Sequence, residues 1–225
     1  MLKKIKGAAP RQFAVLGLGR FGVEMVKALS AIGCEVLAVD VSEERTAEVA
    51  DIATYTVAAD SSEENTLKTL GIAAFDVVII AIGENMQASI ITAMTCKEMG
   101  VKTIVAKAFN AKHAKVLEKI GVDRIIVPER DSAVRTATLI NNPKVNDIIE
   151  LNAGYCIAEI EIPQDWKDKT LVELNVRAKH SINVLMVTNG DDEDPISPDI
   201  STVFRDGQWV LIGGLTADVK KFINR

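Results

Sequence analysis

Phe13-Ala14-Val15-Leu16-Gly17-Leu18-Gly19-Arg20-Phe21-Gly22 is a short apolar run that feeds directly into the spacing GxGxxG. The first four residues carry no turn former and read as a buried strand. Gly17 allows a tight turn, Gly19 lets backbone amides approach a pyrophosphate, and Gly22 lets a helix pack closely on the strand. Phe21, Met25, Ala28, Leu29 and Ile32 then trace one helical stripe, which predicts a helix over Phe21–Ile32. The N-terminus of that helix offers free N–H groups to an anion. Eighteen residues beyond Gly22, Asp40 follows a second apolar run, Glu35–Val39. A carboxylate at that strand end accepts hydrogen bonds from ribose hydroxyls and disfavours a 2′-phosphate. GxGxxG alone is weak, because glycines also serve packing. With strand, helix and acid in order it is specific.

The same alternation continues outward to residue 128. Further strands are expected at Tyr55–Ala58, Asp76–Ala81, Thr103–Ala106 and Arg124–Val127. Between them lie helical stretches: Glu43–Ala50 capped by Ser42, Glu63–Leu70 after Ser62, Asn85 to Met99, and Asn110 to Ile120. Gly71, Gly100 and Gly121 stop the last three. Strand–helix units in succession predict an α/β fold with a doubly wound parallel sheet. Beyond Pro128 the pattern changes. Asp131 or Ser132 can cap a helix to about Ile140, Asn141-Asn142-Pro143 breaks it, and Lys144–Glu150 is expected to form a short helix. Strands follow at Cys156–Ile162, Asn183–Thr188 and Trp209–Ile212, interrupted by the acidic loop Gly190–Asp194, with a final helix at Thr216–Ile223. The domains expected are 12–130, a helix and linker over 131–150, and a small α+β domain over 151–225.

Composition limits what such a chain does. It has 225 residues, about one and a half domains at roughly 150 residues each, so a separate substrate lobe is hard to fit. The hydrophobic fraction is 48% but aromatics are only 4%, which predicts an aliphatic core suited to a parallel sheet. A formal charge of −5 weighs against nucleic acid as a partner. No apolar run approaches the roughly 18–20 residues of a membrane span. The basic start, MLKKIKGAAP, lacks the apolar core of a signal peptide, and Lys3, Lys4 and Lys6 read as a solvated arm. Cys34, Cys96 and Cys156 are odd in number and lack CxxC spacing, consistent with a reducing cytosol.

Candidate ligand contacts gather at the strand ends, where this fold binds its ligands. Asp60 follows the third strand, Gly83, Glu84 and Asn85 the fourth, and Lys107 ends the fifth. Each has an ordinary alternative: Asn85 is a good N-cap, and Asp60 suits a turn. Arg20 sits at the helix mouth, where a guanidinium suits a terminal phosphate. NAD, AMP, ADP and ATP all remain open on these residues, with NADP disfavoured by Asp40. A dehydrogenase needs a proton donor or acceptor beside the nicotinamide. Residues 130–225 show no such constellation: His180 stands alone, and His113 shares helical spacing with Leu117 and Ile120, as a partly packed surface residue would. Glu129 and Asp131 could hold a hard cation or simply cap a helix. A nucleotide-binding domain without catalysis reads as a sensor, not an enzyme. The alternative is an NAD-dependent oxidoreductase or an NAD(H)-sensing protein.

The strings RQFAVLGLGRFG, EVLAVD, AADSSEEN, VVIIAIGENMQAS, VLEKIGVDRIIVPERD and LNVRAK resemble the KtrA-type RCK subunits, regulators of potassium conductance. The resemblance covers nearly the whole chain and implies a Rossmann-like N-terminal domain with a smaller C-terminal one. It implies a cytosolic regulatory subunit at the inner face of the membrane. Dimers would assemble into an octameric ring beneath an integral-membrane potassium-translocating subunit, with ATP and ADP competing at the glycine loop. Carried over by motif, Arg20 and Lys107 would meet phosphates, Asp40 the ribose and Asp60 the base edge, with Gly17, Gly19, Phe21, Gly22, Gly83, Glu84 and Asn85 around them. Position 60 is often Asn in relatives. Glu129 matches a position tied to Mg2+, Ca2+ or Na+ at a dimer interface. The helix after Asp131 resembles one that crosses to a neighbouring protomer. Asn175 and Arg177 resemble part of a cyclic di-AMP region, or serve the fold alone.

Overall fold

The computed structural model describes residues 11–83, 85–151, 154–188 and 195–225. Glu84, the basic arm at Lys3, Lys4 and Lys6, and the acidic loop Gly190–Asp194 lie outside the described residues. The chain divides into two compact units between Pro128 and Glu129.

The first unit is built on β1 (Gln12–Leu16), β2 (Glu35–Asp40), β3 (Tyr55–Ala58), β4 (Val77–Ile80), β5 (Ile104–Lys107) and β6 (Arg124–Ile126). They form one sheet in the order β3-β2-β1-β4-β5-β6, and every neighbouring pair is parallel. This is the doubly wound order, with its switch point between β1 and β4. The helices α1 (Arg20–Ala31), α2 (Glu43–Glu48), α3 (Glu64–Thr69), α4 (Met86–Glu98) and α5 (Ala111–Ile120) connect the strands. β1 is buried on both faces, which is why it reads as a continuous apolar run. Ala14 and Leu16 join Leu67 of α3, Cys96 of α4 and Leu117 of α5, whereas Phe13 and Val15 join Val26 and Leu29 of α1. The expected caps form: Ser42, Asn85 and Asn110 each accept a backbone N–H in the first turn of their helix.

The helix α6 (Pro128–Asn141) starts at the last residue of the first unit and opens the second. This helix starts three residues before the expected Asp131, because proline fits the first helical position, where no N–H is needed. Of its apolar residues, Leu139 packs against the core of this unit, whereas Val134 and Ile140 are 62% and 76% exposed among the described residues. The short helix expected at Lys144–Glu150 is instead the strand β7 (Val145–Glu150). It joins β8 (Tyr155–Glu161), β9 (Ile182–Thr188) and β10 (Trp209–Leu215) in an antiparallel sheet of order β7-β8-β10-β9. α7 (Leu171–Leu174), α8 (Val176–His180) and α9 (Thr216–Ile223) accompany the sheet. Three aromatics are buried together here. Trp166 packs against Phe204 and Phe222 with ring centroids 5.3 and 5.5 Å apart, so this smaller core is not purely aliphatic. All three cysteines are free thiols, and burial pushes Cys96 up to about 12.

Candidate functional site

The glycine loop joins β1 to α1. Gly17 has φ +99°, and a Cβ there would stand 2.9 Å from the backbone nitrogen of Ile82. Its N–H donates to the carbonyl of Val39 at 2.7 Å, fixing the loop to the end of β2. A Cβ on Gly22 would lie 1.9 Å from the carbonyl oxygen of Gly17, so the helix packs where no side chain fits. Gly19 differs. Its φ of −69° suits any residue, and a Cβ there would meet nothing within 4 Å. The fold gives no steric reason for glycine at that position, whereas close approach of a phosphate to the backbone does. α1 has no acidic residue in its first turn and no side-chain cap. Its N-terminal N–H groups and its dipole therefore face an incoming anion.

Asp40 is buried at 6% exposure, and its carboxylate is already engaged. Oδ2 accepts the Leu18 N–H at 2.6 Å, and Oδ1 accepts the Ser42 N–H at 2.9 Å. The acid thus clamps the glycine loop to the start of α2, and each oxygen keeps a second lone pair for a hydroxyl. Arg45 Nη1 stands 3.7 Å from Oδ2. Sequence reading did not single out Arg45. The only signal was its place three residues after the Ser42 cap, which turns it back toward the strand end.

The remaining candidates divide by geometry. Lys107 Nζ lies 5.9 Å from the Phe21 ring centroid and 3.8 Å from where a Cβ on Gly83 would stand. The ends of β1, β4 and β5 therefore converge beside the loop. Arg20, the first residue of α1, is exposed and enters no ion pair among the described residues. Asp60 makes a turn, its Oδ1 accepting from Ser62 N and Oγ at 2.8 and 2.7 Å. Asn85 caps α4 through Oδ1, which accepts from Ala88 N at 3.0 Å. The ordinary roles weighed for Asp60 and Asn85 are thus both present. Glu84 lies outside the described residues.

Other candidates lie in the second unit. Glu129 and Asp131 occupy the first turn of α6, where negative charge suits the helix dipole, and Asp131 accepts from its neighbour Arg130. Among the described residues no group of three or more His, Cys, Asp or Glu is placed to hold a metal ion. Asn175 has φ +45° and joins α7 to α8, so it has a backbone role, and Arg177 on α8 is exposed. His113 corrects an expectation: it is buried at 1% exposure, not partly packed at the surface. Burial holds its pKa below the ordinary histidine value.

A model of the TrkA-N domain matches residues 13–128. Ktr system potassium uptake protein C of Bacillus subtilis is 44% identical over 215 residues, which cover 96% of this chain and 97% of that protein. The chain belongs to the Ktr family of potassium uptake proteins. Ktr system potassium uptake protein A of the same organism is 42% identical, covering 95% of this chain and 96% of that one. The fold also matches the crystal structure of the GsuK RCK domain, with a TM-score of 0.65 at 13% identity. That match covers 96% of this chain but 47% of the GsuK chain, so this Ktr-family chain spans about half of it. No helix among its described residues is long and apolar enough to cross a membrane.

Proposed function

We infer that the chain is a non-catalytic, nucleotide-sensing regulatory subunit that gates a membrane potassium-translocating partner. The observation that carries this reading is the glycine loop: Gly19 opens on space beside a helix N-terminus, Asp40 and Lys107. Residues 12–130 bind the nucleotide. Residues 131–150 connect it to residues 151–225, which serve regulation and dimerisation. The exposed Val134 and Ile140 of α6 support assembly with further copies, in a dimer and then an octameric ring. A cation at Glu129 would need ligands from a second copy. The chain works in the cytoplasm, at the inner face of the membrane that holds its partner.

Gating follows from population shift. A ligand moves the ring only by binding its two shapes with different affinity. ATP and ADP share base, ribose and two phosphates, so the third phosphate must supply the difference. Arg20, exposed at the mouth of α1, is its reader. Arg20→Ala is expected to weaken ATP by about tenfold, the worth of one charge-assisted hydrogen bond, and ADP by much less. Calorimetric titration of both nucleotides checks this, and equal losses would remove Arg20 from that role.

The wider reading is tested by titrating the full chain with ATP, ADP, NADH and cyclic di-AMP, with and without magnesium. Tight ATP and ADP binding is expected. NADH binding far tighter than either would favour the NAD(H)-sensing alternative. Cyclic di-AMP binding lost on Arg177→Ala would place that ligand in the second unit.

A further inference from the structure

His113 is one of two histidines in the chain, and it is buried. Its ring has a definite orientation. Nδ1 accepts the backbone N–H of Phe109 at 3.2 Å, while the His113 N–H donates to Asn110 Oδ1 at 2.9 Å. Phe109 is two residues beyond Lys107, whose ammonium group stands beside Phe21 of the glycine loop. Between them, the Ala108 N–H donates to the Ile126 carbonyl at 2.8 Å. The segment leaving β5 is therefore tied to β6 through Ala108 and to α5 through the imidazole.

An imidazole nitrogen that accepts a hydrogen bond carries no proton, so the neutral ring holds its proton on Nε2. Nε2 is itself buried and has no hydrogen-bond partner among the described residues. Protonating the ring places a hydrogen on Nδ1, facing the Phe109 N–H. Two donors then oppose each other, and the bond is lost. We propose that His113 is a positioning residue for the nucleotide site: its neutral ring holds the segment that presents Lys107, and acidification releases that segment and weakens phosphate binding. This rests on the reading of the glycine loop as a nucleotide site.

The surroundings favour the neutral ring. The charged groups on α5 itself are Lys112, Lys115, Glu118 and Lys119. Of the elements packed on it, α4 brings Cys96, Lys97 and Glu98 at its far end, and β6 brings Arg124. Lys97 is turned to Asp123 at 3.7 Å. None of these shifts the ring; burial alone lowers its pKa below 6.5. The sign follows. The unfolded chain takes up the proton first as pH falls, so the contribution of His113 to stability is full above about 6.5 and declines below it.

The test uses the full chain at pH 8.0 and 5.5, as wild type and as His113→Asn, whose side-chain oxygen falls near the Nδ1 position but does not titrate. Hydrogen exchange over residues 107–113, without nucleotide and corrected for intrinsic rates, reads the tie itself. Wild type is expected to lose protection at pH 5.5, and His113→Asn to keep it. Calorimetry with ADP reads the consequence: wild type should lose about three- to tenfold more affinity on acidification than His113→Asn, the worth of one hydrogen bond. If His113→Asn does not fold, wild-type exchange still decides, because protection unchanged between the two pH values overturns the proposal. Identical pH dependence of ADP binding in both proteins also overturns it. Absence of ADP binding at pH 8.0 with the tie intact would instead reject the nucleotide site.

Discussion

Gly22→Ala is expected to abolish nucleotide binding by breaking the fold around the loop, and Gly19→Ala to abolish it with the fold intact. At Gly22 the new methyl would stand 1.9 Å from the carbonyl oxygen of Gly17. That oxygen is backbone, and Gly17 is itself held by its bond to Val39 and by its approach to Ile82. Nothing at the contact is the loose end of a side chain, so α1 must move off the sheet. Overpacking commonly costs ~1–3 kcal/mol, and a clash against fixed backbone belongs at or beyond the upper end. A melting temperature lower by roughly 10 °C is expected. At Gly19 the methyl meets nothing, and φ is −69°. The variant should melt with wild type, or slightly above it through lost freedom of the unfolded chain. Its methyl would nevertheless occupy the space that a diphosphate needs. Melting curves and ADP titrations separate the two. Gly22→Ala melting like wild type would contradict the packing argument, and Gly19→Ala binding ADP normally would show that no phosphate approaches the loop.

Asp40→Ala carries the second large effect. The carboxylate accepts from Leu18 and Ser42 and is nearly closed to solvent. Removing it leaves two backbone donors unpaired, at about 1–3 kcal/mol each. The loss should appear in both stability and binding. It should also alter discrimination. Wild type is expected to bind ADP and reject 2′,5′-ADP, whose extra phosphate meets the carboxylate. In Asp40→Ala the repulsion is gone and Arg45, which stood 3.7 Å from the acid, remains to meet the phosphate. The gap between the two ligands should narrow by about tenfold. A gap that stays unchanged would mean that Asp40 does not face the ribose.

Each departure from expectation has its own physical cause. Val145, Ile148 and Ile149 have the i, i+3, i+4 spacing of a helix. In β7 a register shift between Val145 and Asp147 turns Val145 and Ile148 inward together, so a bulged strand imitates a helical stripe. His113 shares its stripe with Leu117, and spacing alone does not show how deeply it is buried. The start of α6 lies earlier than its spacing predicts because Pro128 reads as a breaker when it follows a strand and as a first helical residue when a helix follows. Arg45 is close to Asp40 in sequence, but its guanidinium meets the carboxylate only once α2 folds back on the strand end.

The sequence by itself determined the parallel sheet, its helices and the glycine loop. Each of these rests on local properties: apolar runs, caps, and glycines whose missing side chains matter within a few residues. It also placed Asp40, because the distance from loop to acid is one strand–helix–strand unit. Tertiary structure alone decided which glycine excludes a side chain and which one faces open space. It alone brought Lys107 to Phe21, engaged Asp40 with Leu18, and buried His113 behind the segment that carries Lys107. Those are contacts between groups far apart in the chain, or burial that only packing decides. Their distances are set by how the elements pack, which no spacing along the sequence records.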